Sequence, residues 1–338
     1  MSEDLEARGE RYRPLVQREM RTVVGDAPEP LYAWMRYHLG WEHADGSPAA
    51  ESPGKMLRCT AVLLAAELVG GTAASAVPAA AAVDLVHNFS LLHDDIEDNS
   101  ETRRGRPTVW TSAGVPQAIN TGDGMFTLAR LAMHRLPAAG LDPARVIEAM
   151  RELDDACLRL VEGQYLDMAF ETRADVSLDE YVTMISGKTA AMFAAPFAIG
   201  ALLGGATPEV VAAFRTFGRY VGLAFQALDD LLDCWGTREA LGKDPGGDLL
   251  ARKKTYPVIA ACAASEAFTR AYAVPTAFGE DYRTLAALAE SAGGRAATEA
   301  WVDGQLAAAH AALAGAGLDA EAVALMDEYL RTAAGRPR

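Results

Sequence analysis

Apolar and polar residues along this chain recur with the spacing of helices, and the strict alternation of a half-buried strand is nearly absent. Ala, Leu, Glu and Arg, which favour helices, fill long segments such as 145–167 and 285–313. We therefore predict an all-α protein with helices long enough to cross a domain. Gly and Pro interrupt the helical pattern at 44–54, 70–78, 105–116, 136–143, 204–208 and 242–247.

The chain shows no linker between two periodic halves, so we predict one domain over residues 1–338. Apolar residues make up 50% of its 338 positions, which is ample for a large core. Residues 189–206 carry no charge, and this composition fits either a membrane span or a fully buried helix. We favour the buried helix and expect no stable membrane insertion.

Two acidic clusters of the same form lie far apart within apolar helical segments, each with carboxylates at positions i, i+1 and i+4. In a helix the first and last of these share a face, and the middle one lies beside them. Because like charges one turn apart destabilise a helix, a cation is expected next to each cluster. One such cluster alone is equally typical of a solvated acidic face, whereas two with apolar flanks favour a site. The aspartates are Asp94, Asp95 and Asp98 in the first cluster and Asp229, Asp230 and Asp233 in the second.

Carboxylates are hard oxygen ligands, and Mg²⁺ typically takes one or two of them together with waters and phosphate oxygens. We therefore expect magnesium and a phosphorylated substrate at the two clusters. The formal net charge of −15, from 46 acidic and 31 basic residues, argues against nucleic acid or anionic membranes as partners. An anionic substrate then requires local cations, and the sequence has them near the clusters at Lys55, Arg58, Arg103, Arg104, Lys188, Lys243, Lys253 and Lys254.

Residues 90–100, followed by Arg103-Arg104-Gly105-Arg106, closely resemble the first aspartate-rich motif of the trans-isoprenyl diphosphate synthases, the polyprenyl synthetase family. Residues 225–233 resemble the second motif of that family. The resemblance covers about residues 50–260, and its other motifs follow in family order. These motifs are Gly54-Lys55-Met56-Leu57-Arg58, His87, Gly122-Asp123, Glu162-Gly163-Gln164, Lys188-Thr189, Gly242-Lys243, Gly247-Asp248-Leu249 and Lys253-Lys254-Thr255.

The resemblance implies a bundle of long helices around a central cavity and a Mg²⁺-dependent prenyltransferase that joins isopentenyl diphosphate to an allylic diphosphate, head to tail and trans. It implies three Mg²⁺ ions between the two aspartate clusters, where they neutralise the charge that develops on the departing pyrophosphate. Thr189 and Gln226 resemble the polar groups that stabilise the allylic cation. The allylic diphosphate is expected to be held by Arg103, Lys188 and Lys243, with Lys253 close by.

The second substrate, isopentenyl diphosphate, needs an anion pocket of its own. By similarity, that pocket consists of Lys55, Arg58, His87 and Arg104. Arginine suits phosphate through its planar fork of donors, whereas lysine acts as a mobile point charge.

Product length is expected to depend on Phe89 and Ser90, which lie five and four positions before Asp94. On a helix, five positions correspond to about 7.5 Å, so the ring of Phe89 is placed to close a tunnel below the first cluster. An aromatic residue there, followed by a small one, resembles geranylgeranyl diphosphate synthases, which favours a C20 product. A C15 product, farnesyl diphosphate, is the second choice.

Two rival functions share part of this pattern. A class I terpene cyclase has a similar helical fold and an acidic first motif, but its second motif usually follows an Asn/Ser/Glu pattern that this chain lacks. A non-catalytic partner subunit of a prenyltransferase tends to lose an aspartate motif, whereas both are whole here.

The remaining expectations concern location and assembly. The amino terminus is acidic and lacks an apolar stretch, so we predict no signal peptide and a cytoplasmic protein. Family habit favours a homodimer. The cysteines show no metal-binding spacing and are expected to be small core residues, at Cys59, Cys157, Cys234 and Cys262.

Overall fold

The structure, a computed structural model, describes residues 3–49, 56–238, 245–274 and 281–335. Helices dominate these residues, so the all-α prediction is confirmed. Two of the predicted site residues, Lys55 and Lys243, lie outside the described residues. The helices up to the first acidic cluster and just beyond it are α1 Leu5–Val24, α2 Pro30–His38, α3 Leu57–Leu68, α4 Ala73–Glu97, α5 Val109–Ala113 and α6 Val115–Met133.

Within the described residues, strands are limited to one two-residue pair, β1 Thr102–Arg103 and β2 Arg106–Pro107, which are antiparallel. A 3₁₀ turn at Leu136–Ala139 follows α6, and a π-helical turn at Ser186–Ala190 separates α8 from α9. The later helices are α7 Pro143–Glu171, α8 Leu178–Ile185, α9 Ala191–Leu203, α10 Pro208–Trp235, α11 Gly247–Leu250, α12 Tyr256–Ala264, α13 Glu266–Tyr272, α14 Tyr282–Ser291, α15 Gly294–Ala312 and α16 Ala320–Ala333.

The chain forms two compact units, each assembled from separate stretches of sequence. The first acidic cluster belongs to the first unit and the second cluster to the second unit. That the whole chain acts as one domain stays a prediction. The first unit comprises Met1–Cys157, Ala195–Arg215 and Gly315–Met326, and the second comprises Leu158–Ala194, Thr216–Ala314 and Asp327–Arg338.

The core of the first unit is centred on α4, which packs against α1, α3 and α6. The side chains of Ala79, Ala80, Ala81 and Ala82 are fully buried in this helix. Small side chains let neighbouring helices approach closely, and close packing maximises dispersion contacts. The well-packed α4 therefore holds the first acidic cluster, which lies at its carboxyl end, in a defined place.

The uncharged segment predicted to be a buried helix is α9, and the prediction is confirmed. A Cβ atom on Gly200 would lie 2.2 Å from the carbonyl oxygen of Val62, so only glycine allows this close approach to α3. Among the residues that the structure describes, two helical stretches, Ala73–Glu97 and Leu178–Leu203, are long and apolar enough to cross a membrane. Because 78% and 67% of their apolar windows are buried inside the protein, both are typical of core helices.

The second unit has its own core, in which Tyr181, Ile185, Leu223 and Tyr256 are buried together. Helix α8 begins with a capping box, in which Ser177 and Glu180 satisfy each other's backbone N–H groups. This cap fixes the start of the helix that leads into the π-helical turn.

The segment 285–313, rich in helix-favouring residues, is divided into two helices, since α14 ends at Ser291 and α15 begins at Gly294. Gly293 adopts φ 86° between them, a left-handed conformation that ends a helix and favours glycine. By contrast, the segment 145–167 lies within a single helix, α7, as predicted. Cys59, Cys157 and Cys234 are buried and free, as expected of core residues, and Cys262 is half-buried and free.

Candidate active site

The first acidic cluster lies at the carboxyl end of α4. Asp94 and Asp95 are in the last turn of the helix, and Asp98 caps it, with its backbone N–H donating to the carbonyl of Asp94 at 2.8 Å. Carboxylates are unfavourable there, because the carboxyl end of a helix carries a partial negative charge. The cluster therefore needs positive charge from outside the helix.

Part of that charge comes from Arg103, whose Nε donates to Asp95 Oδ1 at 2.8 Å. Asp95 is only 1% exposed, and burial raises the pKa of its carboxyl group. The other carboxylate oxygen, Oδ2, is buried and has no hydrogen-bond partner among the described residues. A buried carboxylate oxygen without a donor is costly, so this atom is suited to a bound cation.

Arg103 is held by the β1–β2 hairpin. Its two turn residues, Arg104 at φ 52° and Gly105 at φ 72°, are both left-handed, which is the geometry of a tight type I′ turn. The strand after the turn is pinned by Arg106, which lies over the ring of Tyr37 and donates to the carbonyl groups of Tyr37 and Glu42. The hairpin thus presents Arg103 and Arg104 from a rigid turn.

A cationic cavity of about 230 Å³ lies beside this hairpin. It is lined by Arg103, Arg104 and Arg106, by His38 and His43, and by Asp95 among others. Burial, reinforced by the three arginines, lowers the pKa of His38 to about 3, so the imidazole is neutral at pH 7.

Arg58 and His87 are two residues of the anion pocket predicted for isopentenyl diphosphate. They are in contact, with 3.4 Å between Arg58 Nη1 and His87 Nε2. Burial and the nearby Arg58 and Arg104 hold the pKa of His87 well below its usual range, so His87 is neutral. Asp84 lies one turn before His87, and burial raises its pKa to about 6 although Arg58 and Arg104 oppose the rise. The structure therefore brings Arg58, His87 and Arg104 into one electrostatic environment, and their role in binding isopentenyl diphosphate stays a prediction. Lys55, the fourth predicted member, lies outside the described residues.

The second acidic cluster lies near the carboxyl end of α10, and its three aspartates differ in environment. Asp230 is 3% exposed and accepts hydrogen bonds at both carboxylate oxygens. Its Oδ2 accepts from Tyr181 Oη at 2.5 Å and from the backbone N–H of Tyr256 at 2.9 Å. Its Oδ1 accepts from Gln226 Nε2 at 3.1 Å. Burial raises the pKa of Asp230 to about 7, although these donors favour its ionised form.

Asp233 is also buried, and its Oδ2 accepts from the backbone N–H of Asp248 at 3.0 Å. Its carbonyl oxygen accepts from the backbone N–H of Gly246 at 2.7 Å. Asp229 is half-buried, so it is the most accessible aspartate of this cluster. That all three bind a metal stays a prediction.

Lys188 and Thr189 lie in the π-helical turn that follows α8. π-helical turns are rare and occur often at functional sites. A Cβ atom on Gly163 would lie 2.1 Å from the backbone nitrogen of Lys188, so α7 and the turn touch through their backbones. Lys188 Nζ forms an ion pair with Asp167 Oδ2, and Thr189 Oγ1 donates to Gln226 Oε1 at 2.7 Å. Thr189 and Gln226 are therefore direct neighbours, as their predicted shared role requires.

Two further predicted cations belong to the second unit. Lys253 is half-buried in the loop between α11 and α12, and its backbone N–H donates to the carbonyl of Asp248 at 2.9 Å. Lys243 lies outside the described residues.

The predicted chain-length residues are both buried in α4. The ring of Phe89 contacts the ring of Phe126 of α6 edge to face, with 4.8 Å between centroids. Ser90 Oγ donates to the carbonyl of His87 at 2.8 Å. The side chain of Phe89 therefore occupies the α4–α6 interface one to two turns below the first cluster.

Sequence reasoning missed several residues of these sites. Asp84 and His38 were not considered, because a lone acidic or histidine residue in an apolar helix has no motif value. Asp167 lies three positions after Gln164 on the same helix face, and that spacing was an available signal. Tyr181 gave no signal, since its contact with Asp230 spans 49 positions.

Within the described part of the chain, no group of three His, Cys, Asp or Glu residues has the arrangement of a protein-only metal site. Magnesium usually relies on few carboxylates with waters and substrate oxygens, so the orphaned oxygen of Asp95 still fits such an ion.

Comparison with known proteins decides the family. Residues 47–283 match the polyprenyl synthetase family. The chain belongs to that family. This polyprenyl synthetase is therefore a prenyltransferase of the trans-isoprenyl diphosphate synthase class, as the motifs indicated.

Two relatives illustrate the range of named products. The chain is 42% identical over 311 residues to a geranylgeranyl diphosphate synthase of Mycobacterium tuberculosis, covering 90% of this chain and 88% of that protein. It is 43% identical over 267 residues to a (2E,6E)-farnesyl diphosphate synthase of Mycobacterium bovis, covering 77% and 73%.

Solved structures agree on the fold. The polyprenyl synthetase of Streptomyces coelicolor A3(2) has a TM-score of 0.90 at 37% identity, covering 98% of this chain and 99% of that one. A polyprenyl synthase of Caulobacter crescentus CB15, complexed with calcium and isoprenyl diphosphate, has a TM-score of 0.85 at 28% identity, covering 99% and 97%. This polyprenyl synthetase thus has the isoprenoid-synthase helical fold, and its family uses divalent metal ions.

Proposed function

We propose that this polyprenyl synthetase condenses isopentenyl diphosphate with an allylic diphosphate, head to tail and trans, and that its product is geranylgeranyl diphosphate. The observation that supports the proposal is that each compact unit holds one acidic cluster and a cation paired with an aspartate: Arg103 with Asp95 in the first unit, and Lys188 with Asp167 in the second. Metal ions and a diphosphate bound at the acidic clusters neutralise the excess carboxylates, and the diphosphate oxygens accept from the cations.

The metal sites of the proposal use both acidic clusters. In the first cluster the ligands are Asp94, Asp95 and Asp98, and the buried Oδ2 of Asp95, which accepts no hydrogen bond among the described residues, is an atom suited to a cation. In the second cluster the ligands are Asp229, Asp230 and Asp233, and protein donors also orient Asp230 and Asp233. Three Mg²⁺ ions are proposed, and bound Mg²⁺ supplies Lewis-acid neutralisation of the departing pyrophosphate.

Different cations of this chain bind the two diphosphate substrates. The allylic diphosphate is bound by Arg103 and Lys188, with Lys243 and Lys253. Arg103 and Lys188 are each paired with an aspartate in the structure, and each exchanges that partner for a substrate oxygen. Arg58, His87 and Arg104, with Lys55, bind isopentenyl diphosphate. Burial at His87 and Arg104 makes their contacts with a diphosphate stronger than the same contacts in water.

After ionisation, the allylic cation needs neutral dipoles and the exclusion of water. Thr189 and Gln226 offer oxygen lone pairs next to each other in the second unit. The double bond of isopentenyl diphosphate then attacks the cation, and the proton lost afterwards passes to the released pyrophosphate.

The C20 product is supported by the position of Phe89 and by relatives named as geranylgeranyl diphosphate synthases. Farnesyl diphosphate is the alternative, and relatives with that name support it. Removing the ring of Phe89 distinguishes a length-limiting role from simple packing, as set out in the Discussion.

We also propose a cytoplasmic homodimer. Large apolar side chains are exposed along α6 at Ile119 and Leu131, and along α7 at Ile147, Leu158 and Tyr165. Exposed apolar residues in this number are typical of a protein–protein surface. Sedimentation of the purified chain at micromolar concentration is expected to give twice the monomer mass of 35.9 kDa. A monomer at that concentration would count against it.

The product assay tests the function. The purified chain is incubated with Mg²⁺ and dimethylallyl diphosphate, with and without isopentenyl diphosphate, and the prenyl products are identified by mass. We expect C20 product only when both substrates are present. A hydrocarbon made from one allylic substrate alone would indicate a cyclase, and inactivity of the chain alone with activation of another synthase would indicate a partner subunit.

A further inference from the structure

Four side chains of the second unit form a continuous hydrogen-bonded chain that ends at Thr189. Tyr181 Oη donates to Asp230 at 2.5 Å, and Gln226 Nε2 donates to Asp230 at 3.1 Å. Thr189 Oγ1 donates to Gln226 Oε1 at 2.7 Å. Tyr181, Asp230 and Thr189 are each at most 7% exposed, so water competes little for these bonds.

The bond between Gln226 and Asp230 sets the direction of the rest of this chain. Gln226 Nε2 donates to Asp230 Oδ1, so the NH₂ group of the amide faces the carboxyl group. Its carbonyl oxygen then faces Thr189, and the hydroxyl hydrogen of Thr189 is used in donating to it. Thr189 Oγ1 then has only its two lone pairs available to a neighbouring group, and these attract positive charge. If the amide were reversed, its NH₂ would donate to Thr189, and the hydroxyl hydrogen would be free to point at the cation and repel it.

We infer that Tyr181 is a positioning residue for the prenyl transfer, which acts through Asp230 and Gln226 to fix the hydroxyl of Thr189 with its lone pairs available to the allylic cation. The inference rests on the proposed function. Tyr181 is suited to this task because its ring is fully enclosed and meets the ring of Tyr256 edge to face, with 5.8 Å between centroids. The backbone N–H of Tyr256 donates to the same carboxylate oxygen, so two donors from different helices fix the plane of Asp230.

The test compares Tyr181→Phe, Thr189→Val and the double variant in single-turnover reactions at saturating substrate. Tyr181→Phe keeps the ring and removes only the hydroxyl group. We expect the chemical step to slow about tenfold, with half-saturating substrate concentrations unchanged within about twofold, because the residue acts on the transition state and not on diphosphate binding. The double variant is expected to be no slower than Thr189→Val alone, because Tyr181 acts only through Thr189.

Tyr12→Phe is the matched control. Tyr12 is also buried and donates to a carboxylate, Glu67, at 2.6 Å, but it belongs to the first unit and to no predicted site. It is expected to lower thermal stability without slowing the chemical step.

Two results would overturn the inference: an unchanged chemical step in Tyr181→Phe, or effects of Tyr181→Phe and Thr189→Val that multiply independently. If Tyr181→Phe does not fold, Tyr181→Leu, which also lacks the hydroxyl group, replaces it in the same cycle. Independent effects of Tyr181→Leu and Thr189→Val would again contradict the inference. Failure of the wild-type chain to condense its substrates would instead remove the proposed function itself.

Discussion

Asp84 offers a quantitative test of the electrostatics of the pocket proposed for isopentenyl diphosphate. Burial raises the pKa of its carboxyl group from 3.8 to about 6, and Arg58 and Arg104 only partly oppose this. In the unfolded chain the group loses its proton near pH 4, whereas in the folded chain it keeps the proton up to about pH 6. Folding stability therefore falls as the pH rises from about 4 to about 6, and the loss is complete above that range.

The size of the loss follows from the same two values. A rise from 3.8 to about 6 corresponds to about 3 kcal/mol at pH 7, at about 1.4 kcal/mol for each pKa unit. Asp84→Asn replaces the carboxylate by a neutral group of the same shape and removes this penalty. We expect a higher free energy of unfolding at pH 7.5, by up to about 3 kcal/mol, and an unfolding midpoint about 5 °C higher.

The measurement is thermal unfolding of wild type and Asp84→Asn at pH 7.5 and at pH 4.5. The gain should be largest at pH 7.5 and fall to about a third of that value at pH 4.5, where Asp84 is mostly protonated in the folded protein but already mostly ionised in the unfolded chain. Asp155→Asn, at an exposed position of α7, is the control and should change the midpoint little at either pH. A lower midpoint for Asp84→Asn at pH 7.5, or an equal gain at both pH values, would show that this carboxylate stabilises the pocket instead of straining it.

Two further substitutions test packing. Gly163→Ala places a Cβ atom 2.1 Å from the backbone nitrogen of Lys188, so we expect a midpoint of thermal unfolding lower by several degrees and slower turnover. Gly9→Ala is the control, because no atom lies within 4 Å of its Cβ, and it should not destabilise the protein. Equal midpoints for the two variants would contradict the close contact. Phe89→Ala removes a ring that contacts Phe126, so products longer than those of the wild type are expected by mass analysis, and an unchanged product length would exclude Phe89 from that role.

The helical fold and the placement of both acidic clusters near helix ends could be predicted from sequence, because apolar spacing and Gly/Pro breaks are local signals. The break at Gly293 was missed, since two adjacent glycines within an alanine-rich segment do not by themselves end a helix. The π-helical turn at Lys188 had no local signal either. It depends on the close backbone contact with Gly163, which lies far away in the sequence.

The different environments of the aspartates in the second cluster could not be predicted from the sequence either. Asp229, Asp230 and Asp233 look alike in sequence, yet Asp230 is engaged by Tyr181 and Tyr256, which lie 49 and 26 positions away. Burial and hydrogen bonding of a carboxylate depend on such distant partners. A motif identifies a set of carboxylates, and only the fold tells which of them are oriented towards protein donors.

The central claim is that the two acidic clusters act together on one diphosphate. The most direct test measures pyrophosphate release in the presence of Mg²⁺ and both substrates. It compares Asp94→Asn, Asp229→Asn and the double variant with the Asp155→Asn control. Residues that act as a unit are strongly non-additive, so we expect each single variant to lose at least about 10³-fold in kcat, the double variant to be little worse, and the control to match the wild type. Near-normal turnover in either single variant, or losses that multiply in the double variant, would contradict the account.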